Sequence, residues 1–342
     1  MDFLKQALNS IRHKLQNPNK ILQSIGIPYS ALLSVIFGMM VLSFPLGAYV
    51  MFQSGLGGDI NFEYPLSELE LFSNFSDVVP FEISIGDAFI VLWVIYSVFF
   101  AIAILGPKDE FLKTLSAVLS QGNLNTKSNY LVSITKWFSI LILISALITF
   151  IQEGFGVYTT PPDTENDLIQ FFYVTLAPLI EEIGFRVILI GLPLYVFYSN
   201  RVSAKHFLRS LWSPNSLHIY NSKKTFFLIV FVAILFGLSH ILSGEPWSNG
   251  KFAQATVSGI ILGWIYFRVG LIASILVHWA TNYFIFSYVS FISQITLISV
   301  EEAFSHSLIN TMEIIFLVSG GVSSCVLLLN YFYSKKKEQL QV

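Results

Sequence analysis

Apolar residues in this chain gather into long, nearly unbroken runs, a spacing that predicts helices surrounded by lipid. A helix needs about 20 mostly apolar residues to cross the hydrocarbon core of a bilayer. Eight stretches approach or exceed that length: 28–52, 86–105, 131–151, 168–198, 225–242, 252–267, 271–291 and 311–333. The sixth is short and meets the seventh through a tight turn at Arg268-Val269-Gly270, while the fourth is long enough to tilt, kink or protrude. The expected fold is all-α: a polytopic membrane protein of about eight transmembrane helices.

Composition agrees with the pattern. Of 342 residues, 54% are hydrophobic and 12% charged, whereas soluble domains carry about 25% charged residues. The net charge of −2 and the lack of a block of like charges give no reason to expect a nucleic-acid partner. Cys325 is the single cysteine, which excludes a disulfide framework and a cysteine-based metal site. Ahead of the first span, Phe3, Leu4, Ala7, Leu8, Ile11 and Leu15 recur at helical spacing with Lys5, Arg12 and Lys14 between them. That pattern suits an amphipathic helix on the membrane surface; a solvated tail fits equally well, and a cleavable signal does not.

Charge then orients the spans. With the N-terminus in the cytoplasm, every Lys and Arg except Arg186 and Lys251 falls on the cytoplasmic side, in the N-terminal segment, 108–136, 201–224, Arg268 and Lys335-Lys336-Lys337. The opposite loops hold Asp59, Glu63, Glu68, Glu70, Asp77 and Glu82, then Glu153, Asp163, Glu165 and Asp167. A basic bias this consistent predicts a multi-pass protein with both termini cytoplasmic, in the cell membrane if the source is prokaryotic. The chain divides into a cytoplasmic amphipathic segment (1–27), three helices with an acidic outer loop (28–167), a core of spans (168–291) and a final span with a basic tail (292–342). Two cytoplasmic stretches are candidates for interfacial helices, one with Phe111, Leu112, Leu115, Val118 and Leu119, the other with Phe207, Leu208, Leu211 and Trp212. Asn74-Phe75-Ser76 in the outer loop is a glycosylation acceptor pattern that recurs often by chance. No internal repeat suggests a transporter built from inverted halves.

Several polar residues sit where lipid makes them costly. The fourth span contains Glu181-Glu182-Ile183-Gly184-Phe185-Arg186, and each ionisable group costs roughly 2.5–3.5 kcal/mol at a helix centre on insertion scales. Glu182 and Arg186 are four apart with the acid first, the favourable order for an ion pair on one helical face. Glu181 lies about 100° round the helix and has no partner within it. Pro178 just before them is placed to kink the helix. Two histidines fall within spans: His240, closing Phe236-Gly237-Leu238-Ser239-His240, and His278, which shares a face with Asn282 one turn on. A lone membrane histidine usually bonds one helix to another, and a lone buried Glu–Arg pair is usually architectural. Together, however, these residues hold nearly all the ionisable groups of the membrane interior. Histidines and carboxylates converging in a dry site are where proton transfer is expected.

These residues form a recognisable series. Glu-Glu-x-x-x-Arg, then Phe-x-x-x-His, then His-x-x-x-Asn on successive membrane helices resembles the signature of the type II CAAX prenyl endopeptidase and bacteriocin-processing family, whose members are intramembrane proteases. The resemblance covers roughly 168–291 and departs from the usual pattern at Val187, where family members carry glycine. It implies an endopeptidase that hydrolyses a peptide bond of a membrane-anchored protein or peptide, prenylated or not. Glu181 and His240 would position and deprotonate the water, His278 and Asn282 would donate to the oxyanion, and Glu182, Arg186 and Phe236 would support the site. This version requires no metal or other cofactor. The alternative is a zinc site held by Glu181, His240 and His278, although a His-Glu-x-x-His helix is absent. Two further readings use the same residues: a non-enzymatic scaffold or immunity-type protein of the same fold, and a proton-coupled transporter. Counting from the cytoplasmic helix ends places His240 toward the outer half of the membrane and His278 toward the inner half. An outward-opening cavity would be out of reach of a prenylated cytosolic substrate.

Overall fold

The computed structural model describes residues 18–56, 64–69, 72–73, 82–106, 110–111, 129–159, 166–200, 202–219, 222–242 and 248–339. The amphipathic pattern at 3–15, the Asn74 acceptor and positions 112–119 lie outside them. The described chain is helical, with one isolated bridge between Pro65 and Ser84.

Helix α1 (Pro18–Gln53) is followed by α2 (Ile85–Leu105) and α3 (Tyr130–Gly154). The next helix is continuous from Asp167 to Tyr198 but changes winding: α4 (Asp167–Glu181) passes into a π-helical stretch (Glu182–Gly191) and then into α5 (Leu192–Tyr198). Then come α6 (Ala204–Trp212), α7 (Ser222–Leu242), α8 (Lys251–Arg268) and α9 (Leu271–Trp279). A second π-helical stretch (Ala280–Phe284) carries α9 into α10 (Ile285–Thr296), ahead of α11 (Val300–Phe304) and α12 (Ser307–Gln339).

Six helices among the described residues are long and apolar enough to cross a membrane: Pro28–Gln53, Ile85–Leu105, Tyr130–Gly154, Ser222–Leu242, Leu271–Thr296 and Ser307–Phe332. The other two expected spans are helical as well. One is interrupted by the π-helical winding and carries Glu181, Glu182 and Arg186; the other, α8, has 18 residues and includes Gln254, Thr256 and Ser258. Of the expected interfacial stretches, Phe207–Trp212 lies in α6, which leaves Leu208 and Trp212 exposed.

Helix ends are fixed by local side chains. Ser84 and Asp87 form a reciprocal capping box at α2, and Asn166 accepts from Leu168 and Ile169 at the start of α4. Asn129 caps α3 and also donates to the Ile104 carbonyl at 3.0 Å, tying the end of α2 to the start of α3. The predicted turn between α8 and α9 uses Gly270 at φ 120°, a conformation side chains disfavour.

The stretch Leu271–Thr296 lies at the centre. Some 72% of its apolar window is buried, against 28–44% for the other five spans, which therefore surround it. Trp279 anchors this core, stacked on Phe44 (5.2 Å) and Tyr283 (5.5 Å) and packed near Phe100 (5.9 Å). Pro45 within α1 has no N–H to donate. The carbonyls just before it also accept from side chains: Trp93 donates to Phe44 at 3.1 Å and Tyr283 to Ser43 at 3.2 Å. Small residues allow close helix approach where lipid provides no hydrophobic drive. A Cβ on Gly320 of α12 would collide with the Ser139 carbonyl of α3 and meet Leu143 Cβ at 2.8 Å.

Candidate active site

The site begins where α4 is disturbed. Pro178 cannot donate a backbone hydrogen bond, and Tyr96 of α2 enters the same turn. Its hydroxyl donates to the Thr175 carbonyl at 2.8 Å and accepts from the Leu179 N–H, the two groups a regular helix would pair with each other. A side chain set into the backbone ladder is a recognised source of helix distortion. The winding becomes π-helical three residues after Leu179, at Glu182, and single π turns occur often at functional sites.

Glu182 is completely buried and fully engaged. Its Oε1 lies 2.9 Å from His278 Nδ1, and its Oε2 lies 3.2 Å from Arg186 Nε and 2.5 Å from Ser274 Oγ. Ser274 Oγ is also 3.0 Å from the Leu262 carbonyl; with one proton to give, it donates to the nearer, charged acceptor. The ion pair expected from the four-residue spacing is therefore present. Arg186, 1% exposed, also places its guanidinium carbon 4.4 Å over the Phe236 ring.

Phe236 links the remaining parts. Its ring meets Phe185 edge-on at 5.0 Å, His240 at 4.7 Å and His278 at 6.1 Å. His240 Nδ1 lies 2.8 Å from the Phe236 carbonyl, which assigns the Nδ1 proton to that bond and leaves Nε2 as an acceptor in the neutral ring. His278 Nδ1 lies 2.9 Å from Glu182 Oε1, to which it donates, and its Nε2 faces Glu181 Oε2 at 3.7 Å. The Glu181 side chain is 27% exposed, and its Oε2 has no hydrogen-bond donor among the described residues.

Glu181, Glu182, Arg186, Phe236, His240 and His278 are thus brought together. Asn282 is not tied to them. It is half-buried, and its Oδ1 accepts from Thr281 Oγ1 at 3.3 Å. A π-helical stretch begins at Ala280, between His278 and Asn282. Depth also differs from the count along the helices. Gly263 of α8 sits against Ile229 of α7, and Gly259 against Phe236, while Leu262 is level with Ser274. Phe236 is therefore level with His278, and His240 stands one turn farther on.

Sequence reasoning passed over Ser274 and Tyr96. Ser274 is four residues before His278, on the same helical face, and that spacing was the available signal. Tyr96 carries none, because its role comes from a contact across 79 positions. Among the described residues no group of three or more His, Cys, Asp or Glu side chains stands close enough to hold a metal ion.

Tyr96→Phe removes only the hydroxyl. Because it acts on the turn that carries both glutamates, it is expected to lower kcat about tenfold with KM unchanged, as small misplacements of catalytic groups do. Steady-state kinetics read the split; an equal rise in KM would mean that the hydroxyl serves binding instead.

No curated protein and no solved structure matches the chain. A family model does, and its matched stretch contains Glu181, Glu182, Arg186, Phe236, His240, His278 and Asn282. Residues 165–284 are a domain of the type II CAAX prenyl endopeptidase Rce1-like family, a family of peptide hydrolases.

Proposed function

We propose that this chain is an intramembrane endopeptidase that crosses the bilayer eight times, the helix at 167–198 and α8 joining the six apolar spans, with both termini in the cytoplasm. Its substrate is a membrane-anchored protein or peptide. The observation that carries the reading is the placement of His278 between two carboxylates, Nδ1 on Glu182 and Nε2 toward Glu181.

The roles follow from that placement. Glu182, held by Arg186 and Ser274, fixes the His278 ring so that Nε2 points into the site. Glu181 has an oxygen available to a water, and His240 offers its Nε2 nearby. These two hold the water and take its proton as its oxygen bonds to the scissile carbonyl carbon. His278 donates from Nε2 to the resulting oxyanion, and the Asn282 amide donates beside it. The proton taken from water passes to the amide nitrogen, the C–N bond breaks, and a carboxylic acid and an amine leave, the acid then giving its proton to the amine as both ionise. Every step uses side chains of this chain and requires no metal.

The test is cleavage of membrane-anchored peptides by the purified protein, with bound metal measured on the same sample. Wild type is expected to cleave without stoichiometric metal. Asn282→Ala is expected to lose about 10²–10³ in kcat, the usual effect of removing one oxyanion donor. Failure to cleave any such peptide overturns the reading; unchanged kcat in Asn282→Ala removes that residue from it.

A further inference from the structure

Among the described residues the polar cluster is sealed toward one end of the helix bundle and open toward the other. Glu182, Ser274 and Arg186 are at most 1% exposed, and every residue of α9 is buried. Helix α6 closes this end. Tyr266 donates to the Leu211 carbonyl at 2.6 Å, a Cβ on Gly270 would meet the Trp212 carbonyl at 3.2 Å, and one on Gly191 would meet Leu211 Cδ2 at 3.3 Å. Among the described residues α6 thus packs directly against the end of α8 and the turn into α9.

In the opposite direction burial relaxes. Glu181 is 27% exposed, and His240, Thr281, Asn282 and Lys251 are half-buried. Lys251 begins α8, and its charge acts on both Glu181 and His240. The loop before it is held to the far end of α3: Gln152 donates to the Gly250 carbonyl at 2.9 Å, Ser248 to the Tyr158 carbonyl at 3.0 Å, and Gln254 to Thr149 at 2.6 Å. The reactive carboxylate therefore faces the end of the bundle formed by the close of α3, the close of α7 and the start of α8.

The two ends differ in charge. The sealed end carries Lys205, Arg209, Lys223, Lys224 and Arg268; at the open end Glu153, Asp167, Glu301 and Glu302 accompany Lys251. Basic residues mark the cytoplasmic side.

We propose that the site takes its substrate from the non-cytoplasmic face, so that the scissile bond belongs to a membrane-anchored protein or peptide whose cleaved segment lies outside, and not to a prenylated protein of the cytosol. The chemistry rests on the endopeptidase reading above; the direction of opening rests on burial and charge.

Two measurements test this, and they fail separately. In a Cys325→Ser background, Lys251→Cys should react with an impermeant maleimide in spheroplasts, whereas Lys205→Cys should react only after permeabilisation. The reverse pattern overturns the proposal. In sealed vesicles, an impermeant mixture of internally quenched peptides should be hydrolysed at least tenfold faster when the outer face is exposed than when the cytoplasmic face is, and Glu181→Ala should abolish the difference. Faster hydrolysis at the cytoplasmic face overturns the direction. If no Glu181-dependent hydrolysis appears even in detergent, the endopeptidase reading falls, and the labelling pattern still decides which way the cavity opens.

Discussion

Glu181→Gln is expected to leave a folded, membrane-inserted protein whose kcat is lower by about 10²–10⁴, the range a positioned general base contributes. The substitution keeps the shape of the side chain and removes its ability to accept a proton. It should be tolerated structurally because this carboxylate does little to hold the helices together. Its side chain is 27% exposed, its Oε2 receives no hydrogen bond from the described residues, and its nearest charged neighbour is His278 Nε2 at 3.7 Å. A rim group of this kind contributes roughly 0–1 kcal/mol to stability. Thermal unfolding in detergent, run beside the cleavage assay, should therefore give nearly coincident melting curves and widely separated rates. Turnover within a few-fold of wild type would take the general-base role from Glu181.

The parts of this site that were legible in the sequence are those whose presence in lipid is itself costly. Glu181, Glu182 and Arg186 in an apolar run, and His240 and His278 near helix ends, are conspicuous for that reason, and the four-residue spacing of Glu182 and Arg186 correctly gives their ion pair. Ser274 was not legible, since a hydroxyl in an apolar helix usually bonds its own backbone and costs little. Tyr96 was not, because a tyrosine in a span is ordinary until tertiary structure sets its hydroxyl between Thr175 and Leu179. The two π-helical stretches were also hidden. Regular α-helical periodicity gives no sign of the altered winding at Glu182–Gly191 or at Ala280–Phe284. Helix boundaries explain the error in depth: counting from each helix's own start assumes that α7 and α9 begin at one level, and the contacts at Ile229, Gly263 and Ser274 show that they do not.

Glu182→Gln is expected to behave unlike its neighbour and to cost both stability and activity. The carboxylate accepts on both oxygens, from His278 on one and from Ser274 on the other, and the second oxygen is also ion-paired with Arg186. An amide has one accepting oxygen, so whichever way it turns it places an N–H against His278 or against the guanidinium. Arg186, 1% exposed, then keeps a buried charge that no carboxylate touches, and breaking a buried pair from one side costs about 3–5 kcal/mol. Replacing both partners by uncharged groups is often close to neutral, so Glu182→Gln combined with Arg186→Met should recover most of the lost melting temperature. Activity should not return with it. His278 would still lack the anion that holds its Nδ1 proton and aims Nε2 at Glu181, and loss of an orienting carboxylate costs about 10⁴ in a well-studied catalytic triad. A reduction of at least about 10² in kcat is expected here for both the single and the double variant. The double-mutant cycle separates the two duties of Glu182: recovery of stability without recovery of rate assigns it to His278 as well as to Arg186. Recovery of both would reduce Glu182 to a counter-ion for the arginine and leave His278 without the support that the mechanism requires.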